Sequence, residues 1–246
     1  MMSQSDKRLG AMIGLWLGLA GTALFVMADY GSQPGQAGVA PTLWPSEASS
    51  GIVPTTGKPT VVLFAHPLCP CTRATLVELE GMTNRLYGQF DLHVLFYQPA
   101  DVSAMPDIWA ASDLRRIANS LPGTQSHTDV DGELAKYFGA YTSGQVLLYG
   151  TDAKLRFAGG ITPSRGHAGS NRGSATLISS ILGDTGVDPL APVLNPVFGC
   201  GLHEERDDDR KLPTGLVSQH SQELQNPLNN QNRKYRQTPM ILANRV

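Results

Sequence analysis

Hydrophobic positions divide the chain into one long unbroken stretch near the N-terminus and a series of shorter, periodic ones. Leu9 to Ala28 is almost wholly apolar over 20 residues, a length that matches a bilayer span better than the shorter core of a secretory signal. Further on, the run Val61-Val62-Leu63-Phe64-Ala65 reads as a buried strand, Thr72–Tyr87 as a helix, Asp91–Tyr97 as a strand and Ile108–Leu121 as a helix. A short strand over Ser126–Val130 comes next, then a helix over Asp131–Phe138 with Asp131 as its N-cap and Gly139 as its stop. Gln145–Tyr149 and Leu155–Ala158, joined by Gly150-Thr151-Asp152-Ala153, predict a hairpin, and after a glycine-rich loop a last helix covers Ser174–Leu182. Parallel βαβ units followed by an antiparallel hairpin and a closing helix make an α/β fold, a mixed sheet with helices on both faces.

The flanks have different compositions. Tyr30 to Pro59 is rich in Gly, Pro, Ser and Ala, as expected of a flexible tether, with Trp44 its only large anchor. Asp188–Leu194 is apolar enough to dock on the domain, whereas Glu204 to Val246 opens on a dense charge run and continues rich in Asn, Gln and Pro, the composition of a disordered tail. The expected organisation is therefore an anchor over residues 1–29, a linker over 30–58, an α/β domain over 59–183, a docked extension over 184–203 and a tail over 204–246. Lys7 and Arg8 precede the apolar stretch and few positive charges follow it closely. The positive-inside rule then leaves the N-terminus cytoplasmic and the rest outside, as a single-pass protein of a bacterial inner membrane with its domain in the periplasm. A cleaved signal, with Val26-Met27-Ala28 as the cleavage site, is the alternative. A net charge of −2 and a charged fraction of 16% give no footprint for nucleic acid. Three cysteines allow one disulfide and leave one thiol over, so the core rests on packing.

Two of those cysteines stand where chemistry is expected. In His66-Pro67-Leu68-Cys69-Pro70-Cys71-Thr72-Arg73 they lie between the strand end and the helix start. The first N–H groups of a helix are unpaired, and they and the helix dipole favour an anionic sulfur beside them. Pro70 biases Cys69 towards the extended angles of an N-cap and itself suits the first helical position. Cys69 is thus the expected nucleophile, with a lowered pKa, and Cys71 the less exposed, resolving thiol. Two cysteines separated by one residue reach bonding distance only in a helical or turn-like backbone, and their bond is strained and easily reduced.

The order βαβαβαββα with a redox-type cysteine pair after the first core strand resembles the thioredoxin-like fold over about residues 59–183. More narrowly, the cysteine run and Gly159-Gly160-Ile161-Thr162-Pro163-Ser164-Arg165-Gly166-His167 resemble bacterial membrane-tethered proteins labelled RedB-like. The resemblance implies protein thiols or disulfides as substrates and thiol–disulfide exchange as the reaction, with no cofactor. Two departures stand out. Thioredoxins separate their cysteines by two residues and this chain by one. They also carry a cis-proline just before the strand corresponding to Gln145–Tyr149, where Ser143-Gly144 stands here; Gly144 permits close backbone approach by a partner.

In that topology the exit loop of Leu155–Ala158 shares an edge with the cysteines. It contains Arg165, His167 and Arg172; Arg165 is expected to hold Cys69 as thiolate and His167 to act as acid or base. His66 is placed to lower the cysteine pKa or to ligate metal, and Arg73, opposing the helix dipole, hints at a task near the cysteines. Cys200 is a further thiol, with a buried inert cysteine as the plain alternative. The leading expectation is a membrane-anchored thiol–disulfide oxidoreductase. An alternative is a copper or other metal chaperone using Cys69 and Cys71 with His66 or Cys200. A third is a thiol peroxidase, for which Leu68-Cys69-Pro70 is suggestive, although peroxiredoxins carry threonine where this chain has His66.

Overall fold

A computed structural model of the chain describes residues 3–36, 38–45, 52, 54, 57–103, 108–109, 111–183 and 191–202. The stretch expected as a tail, 204–246, lies outside the described residues, as does 184–190 of the expected extension. In chain order the elements are α1 (Gln4–Ser32), β1 (Thr60–Ala65), α2 (Pro70–Arg85), β2 (Asp91–Gln98), α3 (Asp113–Ser120), β3 (Thr124–Val130), α4 (Glu133–Tyr137), β4 (Gln145–Tyr149), β5 (Leu155–Gly159), α5 (Arg172–Leu182) and β6 (Val193–Leu194).

All six residues of β1 are buried, as a central strand covered on both faces requires. It pairs in parallel with β2 and antiparallel with β4, and the sheet runs β3-β2-β1-β4-β5-β6, with β5 antiparallel to β4 and β6 parallel to β5. This is the thioredoxin-like arrangement, extended by one two-residue strand. Alternation along the strands sends Val61, Leu63, Ala65, Val94 and Phe96 to one face, where they meet Leu76, Leu79 and Met82 of α2, Leu114 and Ala118 of α3 and Leu177 of α5. Val62, Phe64, Leu95, Leu147 and Tyr149 face the other way and pack with Ala135, Phe138, Trp44 and Leu202. A continuous apolar core on each face fixes register, since a one-residue slip would invert every side chain.

One cap differs from expectation. Asp131 is not the N-cap of α4: it has φ 53°, and its carboxylate accepts the Ala100 N–H at 2.9 Å. Gly132 occupies the cap position, and the buried Asp129 accepts the N–H groups of Leu134 at 2.8 Å and Ala135 at 3.0 Å. A carboxylate two residues further back reaches the orphan donors because the left-handed pair Asp131-Gly132 folds the chain back on itself.

The stretch expected as a flexible tether makes specific contacts in its described part. Gly35 N donates to Val197 O at 2.7 Å, Thr142 Oγ1 to Gln36 O at 2.9 Å, Leu155 N to Thr42 O at 2.9 Å and Tyr149 Oη to Pro41 O at 3.0 Å. Trp44 packs edge-on against Phe138 and Tyr149, with ring centroids 5.3 and 5.1 Å apart. α1 itself has no buried residue, and it is long and apolar enough to cross a membrane.

A histidine pair lies between β2 and β3. His93 Nδ1 is 2.9 Å from His127 Nε2, the rings stack, and His93 Nε2 is buried with no hydrogen-bond partner among the described residues. Burial first, then the neighbouring imidazole, pushes the His93 pKa down to about 4 from an ordinary 6.5. Above the ordinary value both folded and unfolded chains hold it neutral. Below that value the unfolded chain takes up a proton that the folded chain refuses, so stability falls as pH drops from the ordinary value towards the folded one. Denaturant unfolding of the detergent-solubilised chain at about pH 7.5 and about pH 5 should show a loss of about 1–2 kcal/mol from this group, reduced in His93→Leu. An equal loss in that variant assigns the pH dependence elsewhere.

Candidate active site

The site is built at the handover from β1 to α2. Cys69 has φ −90° and ψ 125°, the extended angles of an N-cap, and Pro70 is the first helical residue, as the steric bias of a residue before proline dictates. Behind them a buried hydroxyl pair locks the strand end: Thr72 Oγ1 and Ser143 Oγ are 2.7 Å apart, and the His66 N–H donates to both at 3.1 Å. Gly144 N donates to Phe64 O at 2.8 Å, and Thr75 Oγ1 to Cys71 O at 3.0 Å. Gly144 is buried with φ +90°, and a Cβ there would press on Thr75 Oγ1. The close approach expected of this glycine is therefore taken by α2 and not left open to a partner.

Three sulfurs meet here. The thiols of Cys69, Cys71 and Cys200 all lie within 4.8 Å of one another, with Cys69 Sγ and Cys200 Sγ in contact at 3.5 Å. Cys69 and Cys71 are 4% and 2% exposed, whereas Cys200 is the exposed member. The sequence makes Cys71 the less exposed of the pair; both are covered, and Cys200, whose contact with Cys69 no local pattern announces, is the exposed one.

The segment that brings in Cys200 is held at several points. Ser143 N donates to Cys200 O at 2.8 Å, Leu202 N donates to Tyr141 O at 2.9 Å, and Thr142 and Gly201 form an antiparallel bridge. A Cβ at Gly199 would overlap the Ser143 carbonyl oxygen, so only glycine lets the two backbones lie this close.

Hydrogen bonding separates the three thiols electrically. The Cys71 thiol, first of all, holds the Cys69 pKa far below the ordinary thiol value; burial opposes this, and the backbone of Thr72 and both backbone and thiol of Cys200 assist. The Cys69 sulfur makes no direct N-cap hydrogen bond, so the helix start favours its anion chiefly through the field of the Thr72 amide. The same bond to Cys69, followed by burial, pushes Cys71 up, while the backbone of Gly166 opposes. Partial desolvation and then the bond to Cys69 raise Cys200, with Arg165 opposing. The arrangement is one thiolate flanked by two thiols, competent for disulfide exchange or for holding a soft metal ion through three sulfurs.

The supporting residues are distributed differently from expectation. Arg165 does not bind Cys69: its guanidinium donates to the carbonyls of Gly199 and, at 3.1 Å, Gln33, and stacks over Tyr30 with its centre 4.8 Å from the ring. Its backbone N–H donates to Gly31 O at 3.0 Å. Arg165 thus ties the Cys200 segment to the C-terminal end of α1. His167 is exposed, with Nδ1 2.7 Å from Arg165 O in its own loop. Arg73 is exposed on the first turn of α2 and Pro70 is exposed beside it. His66 Nδ1 accepts the Leu68 N–H at 3.2 Å, and its ring stacks on Tyr97 and meets Trp109 edge-on. Burial lowers its pKa while the Cys69 charge opposes, so a neutral ring buttresses the turn outside the sulfur cluster. The Thr72 amide beside Cys69 is expected from the helix start, whereas the Thr72 and Ser143 hydroxyl pair and the parts played by Gly166 and Gly199 are not. Only the sequence neighbourhood of Thr72 and Ser143 carried any signal.

No protein-family model and no curated protein matches the chain. Among solved structures it is similar to an uncharacterized conserved protein from Geobacillus kaustophilus, with 16% identity over 72% of this chain and 94% of that one, at a TM-score of 0.49. A hypothetical protein from Sinorhizobium meliloti 1021 has 17% identity over 70% and 95%, at 0.47. A secreted Mycobacterium tuberculosis disulfide oxidoreductase has 19% identity over 52% and 83%, at 0.35.

Thr72→Val removes one of two acceptors for the His66 N–H and the partner of the Ser143 hydroxyl. It should cost about 1–2 kcal/mol in denaturant unfolding, and Thr72→Val with Ser143→Ala should cost less than the sum of the two. Strict additivity would show that the hydroxyls do not act as a pair.

Proposed function

We propose that this protein is a membrane-anchored thiol–disulfide oxidoreductase of the bacterial inner membrane, its sulfur site in the periplasm and its partners protein thiols or disulfides. The observation that carries this reading is a cysteine at the N-cap of a helix with two further thiols within 4.8 Å, the Cys71 thiol holding its pKa well below the ordinary thiol value. Cys69 with Cys71 or Cys200 would cycle between dithiol and disulfide, exchanging two electrons and two protons with the dithiol or disulfide of a partner. Cys69 is the common member because it is the sulfur whose anion the surroundings favour. A low-pKa thiol is also the better leaving group when its disulfide is attacked.

The location rests on α1. Its apolar stretch of 20 residues is about 30 Å long, the thickness of a hydrocarbon core. Lys7 and Arg8 mark the cytoplasmic side. Because Arg165 joins Tyr30, Gly31 and Gln33 to Gly199, the site would work close to the bilayer surface. The domain is residues 59–183, completed by the docked segment that carries Cys200.

A second reading is favoured by the same cluster. Three sulfurs within 4.8 Å suit copper(I) or zinc, with Cys200 and not His66 completing the set. Metal analysis of protein purified from copper- and zinc-supplemented cells separates the two. A stoichiometric ion that shields all three thiols from alkylation favours binding, and metal-free protein with a reversible disulfide favours exchange.

The central test of exchange is the rate at which the protein oxidises a dithiol peptide or reduces its disulfide form. Cys69→Ser should bring that rate to the uncatalysed level, and a retained rate would refute the reading. Thiolate ultraviolet absorbance against pH should show one thiol titrating well below the ordinary range, lost in Cys69→Ser. In Cys71→Ala its midpoint should move up, because the largest stabiliser of the thiolate is gone. An unmoved midpoint would show that Cys71 does not support the anion.

A further inference from the structure

The cluster contains an apparent contradiction: the sulfur best suited to exchange is the one the chain covers. Cys69 is 4% exposed and Cys71 2%. The cover is the segment that carries Cys200, paired to residues 141–143 through Ser143 N to Cys200 O and Leu202 N to Tyr141 O, and tied by Arg165 at Gly199 O. That pairing leaves Cys200 exposed with its sulfur 3.5 Å from Cys69 Sγ. A bond between residues two apart closes a small strained ring, whereas Cys200 comes from a separate segment 131 positions away and carries no such constraint.

We propose that Cys200 is the sulfur that partners meet, and that the working disulfide joins Cys69 to Cys200, so that the exposed thiol relays exchange to the covered one. This deepens the oxidoreductase reading and rests on it. In the oxidised protein a partner thiolate attacks Cys200 Sγ. The Cys69–Cys200 bond breaks, its electron pair leaves on Cys69 Sγ, and a mixed disulfide forms between the partner and Cys200. A second thiol of the partner then attacks its own sulfur in that mixed disulfide, and Cys200 departs and takes up a proton. The partner dithiol is oxidised to a disulfide and the protein disulfide is reduced to two thiols. In reverse, Cys200 attacks a partner disulfide and Cys69, already in contact, attacks Cys200 Sγ to release the partner as its dithiol. Cys71 remains a thiol throughout, donating to Cys69 as it leaves. This fits the electrostatics, which favour the anion on Cys69 and the neutral form on its two neighbours.

The test uses the full-length protein in detergent, oxidised with glutathione disulfide and then challenged with reduced glutathione as the attacking thiol. Acid quenching, alkylation and peptide mapping locate each bond. The expected oxidised species is Cys69–Cys200 with Cys71 alkylated, and the expected adduct carries glutathione on Cys200 with Cys69 free. Cys200→Ser should slow exchange by about tenfold or more, while Cys71→Ser should still form the Cys69–Cys200 bond and exchange it more slowly. A Cys69–Cys71 bond in the wild type, glutathione on Cys69 and an unchanged rate in Cys200→Ser would overturn the relay while leaving the oxidoreductase reading intact. If oxidation forms no bond to Cys69 at all, both fail. Mapping of the wild-type adduct needs no variant to fold.

Discussion

The whole site depends on one covered helix start. β1 is buried along its length and passes through the four-residue turn 66–69 into α2, and Pro70 holds Cys69 in the extended conformation that opens the helix. The unpaired donors of that first turn favour negative charge, and the Cys71 thiol reaches back to the same sulfur. A sulfur anion here would be costly to desolvate without those donors. The Cys71 thiol first, and the Thr72 amide after it, make a nearly buried Cys69 anion tolerable, while burial and the bonds to Cys69 hold the two neighbouring thiols neutral.

Around this point the chain closes over itself. Residues 199–202 pair with residues 141–143, Arg165 links Gly199 to Gln33, and Gly35 donates to Val197. The sulfur cluster, the Cys200 segment and the end of the apolar helix are therefore mechanically continuous. Much of this cover is backbone hydrogen bonding between loops, the kind of contact that opens more readily than a strand core.

Much of the architecture was readable because its strands are dense in Val, Leu and Phe and its breaks are marked by Gly and Asp. Gln145–Tyr149 was bounded as it stands, and the other strands and α2 and α5 lie within two residues of expectation at each end. β6 was missed because two residues carry no period. Position alone marks Asp131 as a cap, yet Asp129 performs that task because a left-handed turn intervenes. At the site, Cys69 as N-cap and Pro70 as first residue follow from local sterics. The contact with Cys200 does not, since it depends on tertiary pairing between residues 131 apart. The sequence marks Arg165 as a neighbour of the cysteines, but its guanidinium goes to the Gly199 and Gln33 carbonyls and not to the Cys69 sulfur. A long side chain's choice among nearby carbonyls is decided by loop packing and not by spacing.

A thiolate with two thiols in reach has one signature that neither a structural cysteine cluster nor a metal site shares. In an oxidoreductase of this kind two of the three sulfurs form a single reversible couple. Counting free thiols by alkylation and intact-mass measurement on the full-length protein, equilibrated across a series of fixed glutathione potentials, tests that most directly. Two thiols should disappear together in one two-electron transition and return on reduction, with the third free throughout. Three thiols free at every potential, or single glutathione adducts with no internal bond, would contradict it.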